Sequence, residues 1–225
     1  MARGVLVVFE GAEGAGKTTQ LRRLEQWLRV HGVAVTALRE PGGTRAGERI
    51  RELLLDPSGE LSPATEALLF MASRAELVAS CVRPALERGE VVLLDRFFLS
   101  TYAYQVDGRG LPEAAIRGAN QLAVQGLVPD ITLLLDLATD AGMARADARG
   151  ARDRMERAGD AFHERVGLAF RTFLSSEWQQ AHPECGRIVR VDAAGTEDAV
   201  FDRVREALAT VSSEQLSVAL QSHSE

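Results

Sequence analysis

Short apolar runs alternate along this chain with longer segments in which apolar residues recur every three or four positions. Runs of the first kind occur in GVLVVFE, VAVTALRE, EVVLLDR, DITLLLDL and RIVRVDA, and they predict buried strands. Helix-like segments separate them, the first from Lys17 toward His31 and others between about Arg45 and Arg88. Continuous apolar strands joined by helices are typical of a parallel sheet covered on both faces. The pattern therefore predicts an α/β fold with a five-stranded parallel sheet and helices on both faces.

The domain organisation follows from what interrupts this pattern. No internal repeat or long linker divides the chain, so we interpret residues 1–211 as a single domain. Residues 145–160, RADARGARDRMERAGD, are dense in charge and contain two glycines, which predicts a mobile flap rather than a core helix. Residues 212–225 follow the last helical pattern and contain little to bury, so we expect a disordered tail.

Charge and cysteine content exclude several classes of protein. The net charge of -6 and the isoelectric point near 5.4 argue against binding of nucleic acid over a broad basic face. Cys81 and Cys185 lie far apart without metal-ligand spacing, so neither a disulfide framework nor a zinc site is indicated. The N-terminal apolar run is too short to span a membrane. We therefore expect a cytoplasmic protein without nucleic-acid or membrane partners.

A glycine-rich segment, GAEGAGKT at residues 11–18, follows the first strand and matches the P-loop pattern GxxxxGK[ST]. Backbone N–H groups of such a loop surround phosphate oxygens, the lysine reaches the β- and γ-phosphates, and the hydroxyl residue binds Mg²⁺. Lys17 is the only lysine in a chain with 25 arginines, so a compact ammonium is kept at one position. These features predict ATP or GTP as a ligand, together with Mg²⁺. The residues assigned to this nucleotide are Gly11, Ala12, Glu13, Gly14, Ala15, Gly16, Lys17, Thr18 and Thr19.

Three classes of P-loop protein compete for this motif: a phosphotransferase, a GTP switch and a mechanical or nucleic-acid ATPase. A GTP switch reads guanine with an Asn-Lys-x-Asp loop, but the only asparagine is Asn120 and the only lysine is Lys17. The switch is therefore disfavoured. A translocating ATPase stays open as an alternative, although an acidic chain offers no evident track for DNA.

A second polar pair, Asp95 and Arg96, ends the strand pattern of EVVLLDRFFLSTYAYQ. Open α/β sheets bind ligands at the carboxyl ends of their strands. Asp95, with Thr18, is therefore predicted to hold Mg²⁺ through water, and Arg96 to bind an acceptor phosphate. The alternative is a surface Asp-Arg pair, but the nearby segments REPGGT, residues 39–44, and LLFMASR, residues 68–74, favour a site.

Taken together, these segments resemble the bacterial thymidylate kinase (dTMP kinase) family over residues 5–211. The resemblance is carried by FEGAEGAGKTT, REPGGT, LLLD, EALLFMASR, LLDRFFLSTYAYQ, GLVPDITLLLD, RADARG and RDRME in this order. It implies a P-loop nucleoside monophosphate kinase fold with a short lid at about residues 145–160. It also implies a homodimer that transfers the γ-phosphoryl group of ATP to dTMP, giving dTDP and ADP. The alternatives are another P-loop nucleoside monophosphate kinase or a P-loop ATPase that is not a kinase.

The resemblance assigns the base and the sugar of dTMP to four side chains. Phe70 would stack on thymine, although core packing is the simpler reading of this residue alone. Arg74 would contact a base carbonyl, and Gln105 can donate and accept at the thymine edge. Tyr104 would crowd a ribose 2′-hydroxyl and so favour deoxyribose.

The acceptor phosphate is assigned to Arg96 and, from RIRELLLD, to Arg51. Ser100 and Thr101 lie in the same stretch as Arg96, and we include them in the dTMP site.

The family has two forms, which differ in the position of the catalytic arginine. In one form the P-loop carries Asp-Arg, but this chain has Glu13-Gly14 there, so it resembles the form with arginines in the lid. Arg154 is assigned to the transition state, and two more lid arginines are assigned to ATP, namely Arg145 and Arg149. Together with Arg152, those two would share one face of a helix, where like charges cost stability unless an anion meets them. The alternative is a solvated helix partly neutralised by Asp147 and Asp153.

Glu13 is unexpected in a loop that binds anions. The first variable positions of the loop face past the γ-phosphate toward the acceptor. A carboxylate there can accept a hydrogen bond from the sugar 3′-hydroxyl of dTMP, which the resemblance also implies. Glu13 is therefore predicted to act with Lys17, Arg96 and Arg154 in catalysis.

Overall fold

A computed structural model of the protein describes residues 3–147, 154–155, 157–211 and 216. Its strands form one parallel sheet in the order β2-β3-β1-β4-β5. Their bounds are β1 Val5–Glu10, β2 Val35–Arg39, β3 Val91–Asp95, β4 Ile131–Asp136 and β5 Ile188–Asp192. The prediction of a five-stranded parallel sheet is confirmed.

Helices connect successive strands and cover both faces of the sheet. The α-helices are α1 Lys17–Val30, α2 Arg45–Leu55, α3 Pro63–Leu77, α4 Arg83–Glu87, α5 Phe98–Thr101, α6 Glu113–Val124, α7 Thr139–Asp147, α8 Asp160–Thr172, α9 Ser176–Ala181 and α10 Glu197–Leu208. Two π-helical segments, Val78–Val82 and Tyr102–Gly108, continue α3 and α5, and a 3₁₀ turn spans Pro183–Cys185. The expected helix from Lys17 is α1.

The two core layers follow from the alternation of side chains along the strands. Leu6 and Val8 of β1 point to the layer formed with α3 to α6 and α8. Val5, Val7 and Phe9 point to the other layer, which contains α1 and α10. Because β1 is buried on both sides, its sequence is apolar at nearly every position.

Side-chain caps start several helices, but α1 begins differently. Thr44 and Ser62 accept hydrogen bonds from the N–H groups of Gly47 and Thr65, and so cap α2 and α3. Gly16 is the cap residue of α1 and makes no side-chain hydrogen bond there. The first turn of α1 therefore presents backbone N–H groups at the end of β1, where an anion can accept from them.

A buried arginine joins the end of β2 to the helices beside it. Arg74 of α3 is 2% exposed. Its Nε donates to Glu40 Oε2 at 2.8 Å, and Nη2 donates to Glu40 and to the Phe97 carbonyl. Nη1 donates to Thr101 Oγ1 at 2.9 Å and to Asn120 Oδ1. All five N–H groups of the guanidinium thus have partners, and they fix α3, α5 and α6 around the edge of the cleft.

The structure also bears on the chain ends and the flap. The predicted flap at 145–160 is described at 145–147, 154–155 and 157–160, and Arg149 and Arg152 lie outside the described residues. The predicted tail at 212–225 lies outside them except for Leu216, whose side chain is buried in the layer with α1 and α10. The single domain and the disordered tail stay predictions. Over the described part of the chain, every helix is too short or too polar to cross a membrane.

Candidate active site

A cleft of about 740 Å³ opens at the carboxyl ends of β1, β2 and β3. This is where an open α/β sheet binds ligands, because the strand order changes direction beside β1. Most of the residues assigned from sequence line it together. They are Glu13, Gly14, Gly16, Lys17, Thr18, Thr19, Arg51, Phe70, Arg74, Asp95, Arg96, Ser100, Thr101, Tyr104 and Gln105.

The P-loop folds around the buried ammonium of Lys17. Lys17 Nζ donates to the carbonyl oxygens of Gly11, at 2.9 Å, and Ala12, at 2.8 Å. Gly14 and Gly16 have φ values of 71° and 88°, a region that favours glycine. Burial, assisted by the neighbouring cation of Arg96, lowers the pKa of Lys17 to about 8. An anion bound in the loop would raise the pKa of Lys17 again.

Two oxygen ligands meet beside the loop. Thr18 Oγ1 donates to Asp95 Oδ2 at 2.6 Å, which joins the start of α1 to the end of β3. A hydroxyl and a carboxylate are the donors that Mg²⁺ takes in nucleotide sites, where phosphates and water complete its octahedron. Among the described residues no group of three or more His, Cys, Asp or Glu side chains could hold a metal ion alone. The pair thus suits a cation that arrives with a nucleotide.

Arg96 lies in an unusual turn held by Glu10. Its φ is 71°, which is uncommon for a residue with a side chain and is often found at functional sites. The buried Glu10 carboxylate accepts from the backbone N–H groups of Phe97, at 2.7 Å, and Ser100, at 3.0 Å. It also accepts from Ser100 Oγ at 2.6 Å. The last residue of β1 therefore caps α5 and fixes the turn that aims Arg96 into the cleft.

The Arg96 guanidinium connects the P-loop to the opposite wall. Nη2 lies 3.1 Å from Glu13 Oε2, and Nη1 donates to Ser100 Oγ at 2.9 Å. The guanidinium carbon also lies 5.2 Å from the centre of the Tyr104 ring. Burial would lower the pKa of Arg96, but Tyr104 and the carboxylates of Glu13 and Asp95 raise it, and the net shift is upward. Arg96 therefore stays positively charged, and its guanidinium stands between the loop and the opposite wall.

The wall of the cleft opposite the P-loop has one apolar surface and several polar groups. Phe70 and Tyr104 line it, and Tyr104 contacts the Phe162 ring edge to face at 6.0 Å. Gln105 is buried, and its Nε2 donates to Glu66 Oε1 at 3.1 Å. Arg51 Nη1 donates to the Pro41 carbonyl at 3.0 Å. An aromatic face beside an amide is suited to a planar base.

Of the assigned lid arginines, Arg145 and Arg154 do not line this cleft. Arg154 Nη1 pairs with Glu66 Oε2 at 2.7 Å, and its Nε donates to the Leu54 carbonyl at 2.8 Å. Arg145 is exposed on α7, and Arg149 lies outside the described residues. Arg154 therefore pairs with Glu66 rather than with the P-loop, and the roles of these arginines at phosphate stay predictions.

Comparison with known proteins decides which P-loop family this cleft represents. The sequence model of the family described as thymidylate kinase matches residues 9–183. The chain is 49% identical over 198 residues to a thymidylate kinase of Deinococcus radiodurans, covering 88% of this chain and 93% of that protein. It is 48% identical over 192 residues to a thymidylate kinase of Pseudomonas fluorescens, covering 85% of this chain and 88% of that protein.

The chain belongs to the thymidylate kinase family. Membership confirms the predicted family, the P-loop kinase fold and an enzyme that phosphorylates thymidylate. The alternatives of a non-kinase ATPase and of another monophosphate kinase are thereby disfavoured.

A glycine contact explains why the P-loop of this thymidylate kinase family member carries no arginine. A Cβ atom built on Gly14 would lie 1.9 Å from the carbonyl oxygen of Gly142 in α7. A Cβ atom on Gly142 would likewise lie 2.5 Å from the Glu13 carbonyl oxygen. The loop and α7 thus approach through two residues without side chains, and an arginine at position 14 would force them apart.

Several residues on which the site depends lie outside the motifs recognised in the sequence. Glu40 and Glu66 hold Arg74 and Gln105, but they lie in segments where other residues carry the motif. Glu10 had a signal that could have identified it, since it is the one charged residue at the end of a fully buried strand. His163 of α8 also lines the cleft. Met155 also lines it.

The lowered pKa of Lys17 predicts that ATP binding weakens at alkaline pH. Below pH 8 the ammonium is charged and can meet phosphate, whereas above pH 8 the free protein loses this proton. Because bound phosphate restores the charge, we expect Kd for Mg²⁺-ATP to rise about tenfold from pH 7 to pH 9. Titration calorimetry at both pH values measures it. Lys17→Arg, which stays charged, should show no such change, and an equal Kd at both pH values in the unmodified protein would contradict the role of Lys17.

Proposed function

We propose that this protein transfers the γ-phosphoryl group of ATP to dTMP in the cleft at the ends of β1, β2 and β3, giving dTDP and ADP. The observation that carries the proposal is the 3.1 Å contact between Glu13 of the P-loop and Arg96 of the acceptor wall. Through this ion pair, a loop that is suited to a nucleoside triphosphate contacts a cation that is suited to a nucleoside monophosphate. The family membership supports the same reaction.

On the donor side, the P-loop and the first turn of α1 bind the phosphates of ATP through their backbone N–H groups. Lys17 now donates to two loop carbonyls and would exchange them for β- and γ-phosphate oxygens. Thr18 and Asp95 would hold Mg²⁺. When bound, the ion would neutralise charge on the phosphates.

On the acceptor side, Arg96 and Arg51 bind the dTMP phosphate, and Phe70 stacks on the thymine ring. Tyr104 would limit space at the sugar, which favours deoxyribose. Arg74 is assigned to a base carbonyl, but all its N–H groups already have protein partners, so the base would have to share one of them. Ser100 and Thr101 support the site because they accept hydrogen bonds from Arg96 and Arg74.

Phosphoryl transfer requires alignment and charge neutralisation more than a strong base. Arg96 would hold the acceptor oxygen in line with the γ-phosphate, and Lys17 would stabilise the charge that develops between them. Water competes with the acceptor for the phosphoryl group. A site that is complete only when both nucleotides are bound would keep water away from the reaction.

We also propose a cytoplasmic homodimer. Leu53, Leu68 and Leu122 are exposed on α2, α3 and α6, and α3 packs against both neighbours. A face with three exposed leucines is suited to a second copy of the chain.

Sedimentation equilibrium should give twice the monomer mass of 24.4 kDa, and a mass of one chain would refute the dimer.

The substrate is tested by assaying the purified protein with ATP, Mg²⁺ and each deoxynucleoside monophosphate. We expect kcat/KM for dTMP to exceed that for dCMP, dAMP and dGMP on the order of a hundredfold or more, because mismatched bases leave buried polar groups unpaired. A preference for dCMP or dGMP would overturn the proposed function.

Glu13 is tested with a combined change of protein and substrate. If its carboxylate accepts from the 3′-hydroxyl, Glu13→Ala should weaken dTMP by about 1.5–3 kcal/mol in kcat/KM. The penalty should shrink greatly for the 3′-deoxy acceptor, which has already lost the partner, and the difference gives the coupling energy. Loss of the Arg96 contact affects both acceptors and cancels in the cycle. Equal losses for the two acceptors would reject the sugar contact.

Arg154 is proposed to meet the charge of the transition state, and to do so it must exchange its contacts with Glu66 and Leu54. Arg154→Ala should then lower kcat on the order of a hundredfold while leaving Kd for ATP nearly unchanged. Arg157→Ala, on the same segment, is the matched control. A normal kcat for Arg154→Ala would assign the residue to anchoring instead.

A further inference from the structure

Glu66 is a buried carboxylate on α3 that has no part in the proposed reaction. Its side chain is 1% exposed, and it receives donors from three side chains. Oε1 accepts from Gln105 Nε2 at 3.1 Å and Arg109 Nε at 3.1 Å. Oε2 accepts from Arg109 Nη2 at 2.9 Å and pairs with Arg154 Nη1 at 2.7 Å. Two guanidinium groups thus compensate one carboxylate in the interior.

These contacts keep Glu66 ionised. Burial raises the pKa of Glu66, but the hydrogen bonds and charges of Arg109 and Arg154 outweigh burial, so the pKa lies below its usual range. An ionised carboxylate only accepts hydrogen bonds. Gln105 must therefore turn its NH₂ group toward Glu66.

When the NH₂ group of an amide is fixed by one partner, the position of its carbonyl oxygen is fixed as well. Gln105 lines the cleft beside Phe70 and Tyr104, on the wall proposed to hold the base. One N–H of Nε2 donates to Glu66 and prevents the amide from flipping, so the carbonyl oxygen Oε1 is the acceptor that Gln105 offers to a ligand. An oxygen accepts from an N–H group and is repelled by a bare ring nitrogen.

We propose that Glu66 is a positioning residue that fixes the orientation of the Gln105 amide, so that the amide oxygen faces the ring N–H of the base. The site then selects pyrimidines that carry an N–H at the ring position between two carbonyl groups, as thymine and uracil do. Cytosine has an unprotonated nitrogen at that position and is refused. Glu66 thereby sets base choice without touching the nucleotide, and this inference rests on the proposed function.

The test measures Kd by calorimetry for dTMP and dCMP without ATP, so that binding is read apart from turnover. Glu66→Gln replaces the obligatory acceptor with an amide that can donate or accept, which lets Gln105 rotate and offer its NH₂ group. We expect the preference for dTMP over dCMP to fall at least about tenfold, the value of one buried hydrogen bond. Glu66→Asp keeps an acceptor-only group and should retain the preference even if both affinities fall. Glu76→Gln, which removes an exposed carboxylate from the same helix, should change neither.

A second background separates base reading from general damage to the fold. In Gln105→Met the amide is absent, so Glu66→Gln should no longer alter the ratio of the two Kd values. An equal change of the ratio in both backgrounds would overturn the proposal, as would an unchanged ratio in Glu66→Gln alone.

Should Glu66→Gln fail to fold, dTMP methylated at the ring N–H tests the same geometry in the unmodified protein. Its affinity should be at least about tenfold below that of dTMP, since the proposed donor is gone. Equal affinities would overturn the proposal. A protein that binds neither dTMP nor dCMP would refute the proposed function itself, whereas selective dTMP binding with an unchanged Glu66→Gln ratio refutes only the role of Glu66.

Discussion

A carboxylate that is removed from water must receive hydrogen bonds from protein donors, and this requirement orders the cleft. Glu10 takes the backbone N–H groups that start α5, and the turn before them carries Arg96. Glu40 takes the guanidinium of Arg74, and Glu66 takes the amide of Gln105. Each carboxylate thus fixes a polar group that faces the cleft. The conformational cost of arranging these groups is met on folding, so that less is lost when a ligand binds.

The same requirement explains which parts of the site were predictable from sequence. The P-loop and the Asp95-Arg96 pair are contiguous motifs, so their residues and their positions at strand ends follow from local pattern. The partners of the buried carboxylates are distant, since Phe97 follows Glu10 by 87 positions and Gln105 follows Glu66 by 39. No local periodicity reports such a pairing. The sheet and its helices were predictable because burial on both faces makes each central strand apolar throughout, whereas the contacts of the polar residues depend on how the helices pack.

Hydrogen-bonding capacity also limits the roles that a motif can imply. Arg74 occupies the position assigned to a base carbonyl, yet its guanidinium already serves Glu40, Thr101, Asn120 and the Phe97 carbonyl. Its first effect is to hold three helices in place around the base site. Gly14 shows a steric limit of the same kind, because α7 approaches the loop too closely for any side chain there. A cation for the transition state must therefore come from elsewhere in the chain.

The charges at the centre of the cleft explain the carboxylate in the P-loop. Lys17 is buried beside the partly buried Arg96, and their repulsion contributes to the lowered pKa of Lys17. Glu13 lies 3.1 Å from Arg96 and also acts to raise the pKa of Lys17, so it partly offsets this repulsion before any phosphate arrives. A phosphate carries more charge than one carboxylate and binds a guanidinium through two oxygens, so it competes well for Arg96. Release of Arg96 would let a Glu13 oxygen accept the hydrogen bond that we predict from the sugar that accompanies that phosphate. One side chain can therefore offset the repulsion between two cations and also serve the predicted sugar contact.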